Sequence, residues 1–193
     1  MSSVVTCLWV QFDSHLKFTP HVQGLAHRCF YHFRKLRSVR RSLTTDSAKT
    51  LVHALIASRL DYRNSVLYQI NTTVTKTLQS VLHSAERLIV RKRKFECITP
   101  TLRDDLHWLP VRERIVFKLC MIIFKCRHQT ALLYLQELCV PVTASTSRQH
   151  LRSAACGDLL VLACRTSSFG LFSFAACAPK LWNSVPPSIR DPT

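Results

Sequence analysis

The sequence predicts a mainly α protein: a helical bundle preceded by one N-terminal strand and followed by a small irregular α+β segment. Three observations carry this. Apolar residues recur at helical spacing in several long segments. Only three glycines occur in 193 residues, against about a dozen in an average chain of this size, which favours helices over hairpins. Apolar residues make up 47% of the chain, enough to build a core and too many for disorder along the whole length.

Val4 to Phe12 is apolar and β-branched and reads as one strand, broken by Asp13, Ser14 and His15. Thr19 then suits an N-cap and Pro20 the first helical position. Val22, Leu25, Ala26, Cys29, Phe33 and Leu36 form one apolar stripe, with His27, Arg28, Tyr31, Arg34, Lys35 and Arg41 mostly on the other side. A second helix starts at Thr45 or Asp46 and runs to about Leu60, with Ala48, Leu51, Val52 and Leu55 inward. A third spans about Thr73 to Val90, its apolar series being Val74, Leu78, Val81, Ala85, Leu88 and Ile89. Pro110 opens a fourth, through about Arg127. It is apolar almost all round and so expected at the centre of a core. A short helix near Ala131 to Leu138 comes next, then a break at Pro141 and a Ser/Thr-rich linker over Val142 to Arg152. Leu159 to Cys164 suits a short strand, Phe172 to Trp182 is compact and apolar, and Pro186 and Pro187 end regular structure.

Lys and Arg number 27 against 11 Asp and Glu, a net charge of +16. A field of that sign draws polyanions. Isolated glycines cannot build a P-loop or a G-x-G-x-x-G turn, so nucleotide-binding loops of those kinds are excluded. The nine cysteines are odd in number, none is paired C-x-x-C, and no signal peptide opens the chain. They read as reduced thiols, mostly buried, in an intracellular protein of cytoplasm or nucleus that is not secreted. The longest apolar run, Ile115 to Phe124, contains Lys118 and is about half the ~20 residues a membrane span needs, so no membrane partner is expected.

Candidate chemistry is sparse. Asp104 and Asp105 are adjacent carboxylates, but their flanks, Arg103 and Leu106, suit helix N-terminal acids in solvent better than a metal-holding pair. His27, Cys29 and His32, like Cys126 and His128, lack a second pair at ligand spacing. No G-x-S-x-G elbow occurs. We therefore expect no catalytic residues, no metal and no cofactor. The cationic clusters are the strongest signal. Arg28, Arg34, Lys35, Arg37, Arg40 and Arg41 lie without an intervening acid and with Phe30, Tyr31 and Phe33 among them; Arg91, Lys92, Arg93 and Lys94 form a second cluster. Such side chains supply most phosphate contacts, and aromatic faces stack on exposed bases. The competing view is a solvated helix face with Phe33 in the core.

Five segments, in order, resemble one family. Leu8-Trp9-Val10-Gln11-Phe12-Asp13-Ser14-His15-Leu16 is similar to an "LGV-x-x-D-S-x-L" strand, and Ser58-Arg59-Leu60-Asp61-Tyr62-Arg63-Asn64-Ser65 to "SRLDYCNS". Leu78-Gln79-Ser80-Val81 with Ala85 and Arg87-Leu88 is similar to "LQ-x-V-Q-N-A-A-A-R-L", Leu106-His107-Trp108-Leu109-Pro110-Val111 to "LHWLPV", and Ala178 to Pro186 to "APKLWNSLP". Together they resemble the region downstream of the palm in LINE-type (non-LTR) retrotransposon reverse transcriptases. That resemblance implies a residual palm–thumb strand over residues 1–18, a thumb-like helical bundle over 19–141, and a linker with a C-terminal segment over 142–193. It implies a grip on RNA or DNA duplex through the backbone, with the family's catalytic aspartates lying before this chain starts. Trp9 stands where the pattern has Gly, Arg63 where it has Cys, and His83 and Glu86 interrupt its Asn-Ala-Ala-Ala stretch. Leu171 and Phe172 replace a common Asp-Arg, and the chain ends before the usual final basic helix. These departures imply a decayed or truncated copy. Two other readings stay open: a degenerate retroelement-derived reading frame without selected function, and a protein-interaction module that self-associates through exposed apolar surface.

Overall fold

The structure, a computed structural model, describes residues 4–93, 96, 106–144, 156–162 and 173–190. It is mainly helical with a two-stranded antiparallel sheet at its N-terminus, and it divides into two compact units, Met1–Ile115 and Val116–Thr193. The division falls inside the helix that begins after Pro110.

In the first unit, Val4–Phe12 is a hairpin, not one strand. β1 (Val4–Cys7) pairs with β2 (Val10–Asp13), with Cys7 opposite Val10. Leu8 and Trp9 form the two-residue turn at φ 49° and 68°. Positive φ at both central residues matches the right-handed twist of the strands, and is usually supplied by Asn or Gly. The Asp13 carboxylate organises the turn into the first helix, accepting the N–H of Phe18 at 2.8 Å and of Lys17 at 3.1 Å. Desolvation is the largest single influence and raises its pKa, but the backbone N–H bonds together outweigh it and hold the group below the ordinary carboxylate value.

α1 (Thr19–Val39) begins one residue earlier than Thr19 as N-cap would require. Phe18 is the N-cap, in the left-handed region at φ 55°, and Pro20 sits inside the first turn, where its missing N–H is harmless. The expected stripe is buried: Val22, Leu25, Ala26, Cys29, Phe33 and Leu36. α2 (Thr45–Val52) is capped by the Thr44 hydroxyl, which accepts the Ser47 N–H at 3.2 Å, and passes through a π turn (His53–Ala57) into α3 (Ser58–Asp61). α4 (Thr72–Val90) starts under Asn71, whose side chain accepts the Thr73 N–H. α1 packs on α4, the π turn and β2, and α2 packs on α4. Val52, Ile56, Leu78, Val81, Leu82 and Ile89 are each 1% exposed or less. Each such side chain contributes roughly 1.5–3 kcal/mol.

α5 (Val111–Arg127) contributes its first residues to this unit and the rest to the second. Its burial is one-sided, contrary to the expectation of a helix covered all round. Val111, Ile115, Leu119, Ile123 and Cys126 are inside, whereas Phe117 is 58% and Met121 40% exposed. No helix among the described residues is long and apolar enough to cross a membrane.

In the second unit, Ile123, Cys126, Cys139, Leu159, Ala178 and Trp182 form the core. Around it stand α6 (Leu133–Gln136), a 3₁₀ turn at Val142–Ala144 and α7 (Phe174–Ser184). Leu159 makes a single antiparallel bridge to Pro141, and no strand comes after it among the described residues. Pro187 does not end regular structure. It opens α8 (Pro187–Arg190), because a fixed φ suits a first helical residue. Asp104, Asp105 and most of the Ser/Thr-rich linker lie outside the described residues.

Candidate nucleic-acid interface

The outer side of α1 is cationic and carries aromatics. Arg28, Arg34, Lys35 and Arg37 are all exposed. Phe30 and Tyr31 are exposed among them, while Phe33 belongs to the core. Helical phase sorts these side chains into two stripes. Phe30, Arg34 and Arg37 follow i, i+4, i+7 spacing, continued at i+11 by Arg41 in the 3₁₀ turn Arg40–Ser42 beyond α1, and Arg28, Tyr31 and Lys35 follow i, i+3, i+7. Lys35 Nζ stands 4.7 Å from the Tyr31 ring centre.

The first stripe ends where the C-termini of α1 and α4 meet. Here one expected contact residue is corrected. Arg40 is 7% exposed and faces inward. Its Nε donates to Leu88 O at 2.7 Å, Nη2 to Ile89 O at 2.6 Å and Nη1 to Leu43 O at 2.8 Å. The last carbonyls of a helix have no intrahelical partner and carry its negative dipole end, so a guanidinium satisfies both needs at once. Burial, with Arg91 beside it, lowers the Arg40 pKa, but not enough to discharge a guanidinium. Three of its five N–H donors are spent on the fold and the side chain is buried, so Arg40 is not presented to a phosphate.

The same joint gathers the second cluster. Arg91, in the left-handed region at φ 58°, closes α4 and donates through Nη2 to Arg40 O and Leu43 O, each at 3.3 Å. Arg91 and Arg93 are nevertheless exposed, and Lys92 is half-buried. The Arg93 backbone N–H donates to Glu96 Oε1 at 3.0 Å, which sets one carboxylate beside this cluster. Lys94 lies outside the described residues. Clusters 51 residues apart in sequence thus meet at this joint, exposed Arg34, Arg37 and Arg41 leading to it along α1 and exposed Arg91 and Arg93 following α4.

The motif residues are joints. Tyr62 Oη and Arg63 Nη1 both donate to Leu8 O, at 3.3 and 3.0 Å, tying the second motif to the first. Gln79 Oε1 accepts the Val111 N–H at 2.9 Å, tying the third to the fourth. Asp61 pairs with Arg114 at 2.7 Å, and Arg114 also donates to Leu109 O and lies over the Trp108 ring. In the second unit, the Asn183 amide both accepts the Leu159 N–H and donates to Leu159 O, each at 2.9 Å, while Trp182 Nε1 and Arg127 Nη1 donate to Gly157 O. Arg190 pairs with Asp158.

Burial pushes the Cys29 thiol up to about 11 and the Cys139 thiol up to about 12, the latter beside Cys126, so neither is a ready thiolate at neutral pH. The described cysteines are free thiols. Among the described residues, no group of three His, Cys, Asp or Glu is placed to hold a metal ion. Sequence reasoning assigned no role to Arg63 and Arg114, which act through tertiary contacts. Arg40 did carry a signal, since it continues the stripe of Leu36 at i+4. No family model, curated protein or solved structure matches the chain.

Proposed function

We propose that this chain is a non-catalytic module that grips a nucleic-acid duplex by its phosphate backbone, in the manner of the thumb region of a LINE-type reverse transcriptase. The observation that carries the reading is the strip of Arg34, Arg37, Arg41, Arg91 and Arg93, assembled by the fold from two distant clusters. Arg34 to Arg41 alone spans about 10 Å at 1.5 Å per residue, matching about three phosphates of one strand at 3.4 Å each. Arg91 and Arg93 extend it. Ser14 to Thr45 contains no acid that would repel the backbone. The strip has no base-reading arrangement, so the grip is indifferent to sequence.

Five phosphate contacts give a log–log salt slope of about −4.5, or roughly 500-fold weaker binding between 50 and 200 mM salt. Titration of the full chain against a mixed-sequence RNA–DNA duplex measures this. Replacing Arg34, Arg37 and Arg41 together by Gln is expected to flatten the slope by about 2.7. A folded chain with no duplex affinity at low salt overturns the proposal.

A further inference from the structure

Trp9, His21, Arg28, Ser58, Arg59 and Tyr62 wall an open groove of about 520 Å³ within the first unit. That lies in the range of roughly 300–1,000 Å³ typical of small-molecule sites. Trp9 is 78% exposed at the tip of the hairpin, an unusual place for the largest apolar side chain, and Tyr62 is 46% exposed. Their spacing is set by the fold, because Tyr62 Oη and Arg63 Nη1 both hold Leu8 O beside Trp9. The Arg63 guanidinium lies 4.9 Å from the Tyr62 ring centre. Arg59 is steadied by a 2.9 Å bond from Nε to Leu55 O, which leaves its terminal nitrogens for a ligand. His21 Nδ1 accepts the Gln11 N–H, so a neutral ring carries its proton on Nε2, as a donor. No carboxylate lines the groove.

Two aromatic rings, two guanidiniums and a neutral donor lining one groove match a planar base joined to a phosphate. We propose that this groove takes one unstacked nucleotide of a single strand, its base against Trp9 and Tyr62 and its phosphate at Arg28 and Arg59. The inference rests on the nucleic-acid reading above and adds to it a subsite that engages a base, away from the Arg34–Arg41 stripe. The second α1 stripe, Arg28, Tyr31 and Lys35, leads along the helix from it.

The test uses the full chain at low salt, with an eight-nucleotide deoxyadenosine strand and an abasic strand carrying the same phosphates. Trp108 and Trp182 are buried, so quenching of tryptophan emission reports Trp9. The base-bearing strand is expected to quench emission and to bind about 5- to 100-fold tighter than the abasic one. Trp9→Gly, which suits a left-handed position, is expected to bring the two affinities together. Arg59→Gln is expected to weaken both strands. Equal affinities without quenching overturn the groove and leave the backbone grip standing. Binding of neither strand, nor of duplex, overturns both.

Discussion

Arg40 and Arg41 are adjacent, identical in chemistry and opposite in assignment, and replacing each in turn separates fold from function. Arg40→Met keeps the apolar stem and removes the donors to Leu88 O, Ile89 O and Leu43 O. Leu43 O retains Arg91, so two carbonyls at the buried end of α4 lose their partner. Leaving a buried acceptor unmade costs about 1–3 kcal/mol, giving about 2–6 kcal/mol for the pair. The methionine recovers some apolar burial, which places the net loss near 3 kcal/mol, or about 10 °C in Tm for a unit of this size. Arg41→Gln, on an exposed side chain, is expected to move stability by no more than about 0.5 kcal/mol and to take about 0.9 from the salt slope. Urea unfolding followed by circular dichroism reads the first quantity, and duplex titration at several salt concentrations reads the second. If Arg40→Met moves stability by under about 1 kcal/mol while flattening the salt slope, Arg40 is a phosphate contact and the reasoning fails.

The same geometry has three further outcomes. Trp9→Gly relieves a left-handed backbone that disfavours any Cβ by roughly 1–2 kcal/mol and gives up little burial, so the urea midpoint is expected to rise; a lower midpoint counts against the turn. Asn183→Ala leaves both backbone groups of Leu159, itself 1% exposed, without their partners, and is expected to destabilise the second unit by about 2–4 kcal/mol, read as earlier amide exchange at residues 123–139; unchanged exchange there sinks the assignment. Acidification should also weaken the fold. Burial, aided by Arg28, Arg59 and Lys35, or Arg87, lowers the pKa of His21, His32 and His83 below the ordinary 6.5. The folded chain then binds fewer protons than the unfolded one, so stability rises with pH and is lost progressively as pH falls through 6.5. The urea midpoint is expected to be lower at pH 5.5 than at 7.5, a window in which Asp13 stays ionised, and His21→Asn should shrink the difference; a pH-independent midpoint refutes it.

The long helices were legible because tertiary packing uses the periodicity that sequence displays. The stripe of α1 and the series of α4 are buried as their spacing implies. The failures have physical causes. Val4 to Phe12 has uniform strand propensity and no turn residue, so the bend at Leu8–Trp9 was hidden. The resemblance held the only hint, a Gly at the position of Trp9, where φ is 68°. α5 looked apolar all round, yet Phe117 and Met121 face outward, a difference set by what packs against a helix and not by its own pattern. Arg40 was concealed inside a charge run, although its phase with Leu36 marked it as inward. The groove was not legible at all, since Trp9, Arg28 and Tyr62 meet only through the packing of the hairpin, α1 and α3.

The motif residues and the proposed contacts barely overlap, and this has a consequence for what either can establish. Asp61, Tyr62, Gln79, Trp108 and Asn183 make joints between segments. A chain under selection only to fold would keep them and let its surface charge drift. Among the described residues the side chains of Arg34, Arg37, Arg41 and Arg93 make no such joint, and like charges gathered on a fold cost stability by repulsion. Among the described residues no hydrogen bond from these side chains holds the fold together, so the proposed grip can be tested at them without disturbing the packing. The joints and the proposed contacts can therefore be tested separately. Replacing Gln79 should unsettle the fold and leave the salt slope of the surviving folded population intact; replacing Arg37 should do the reverse.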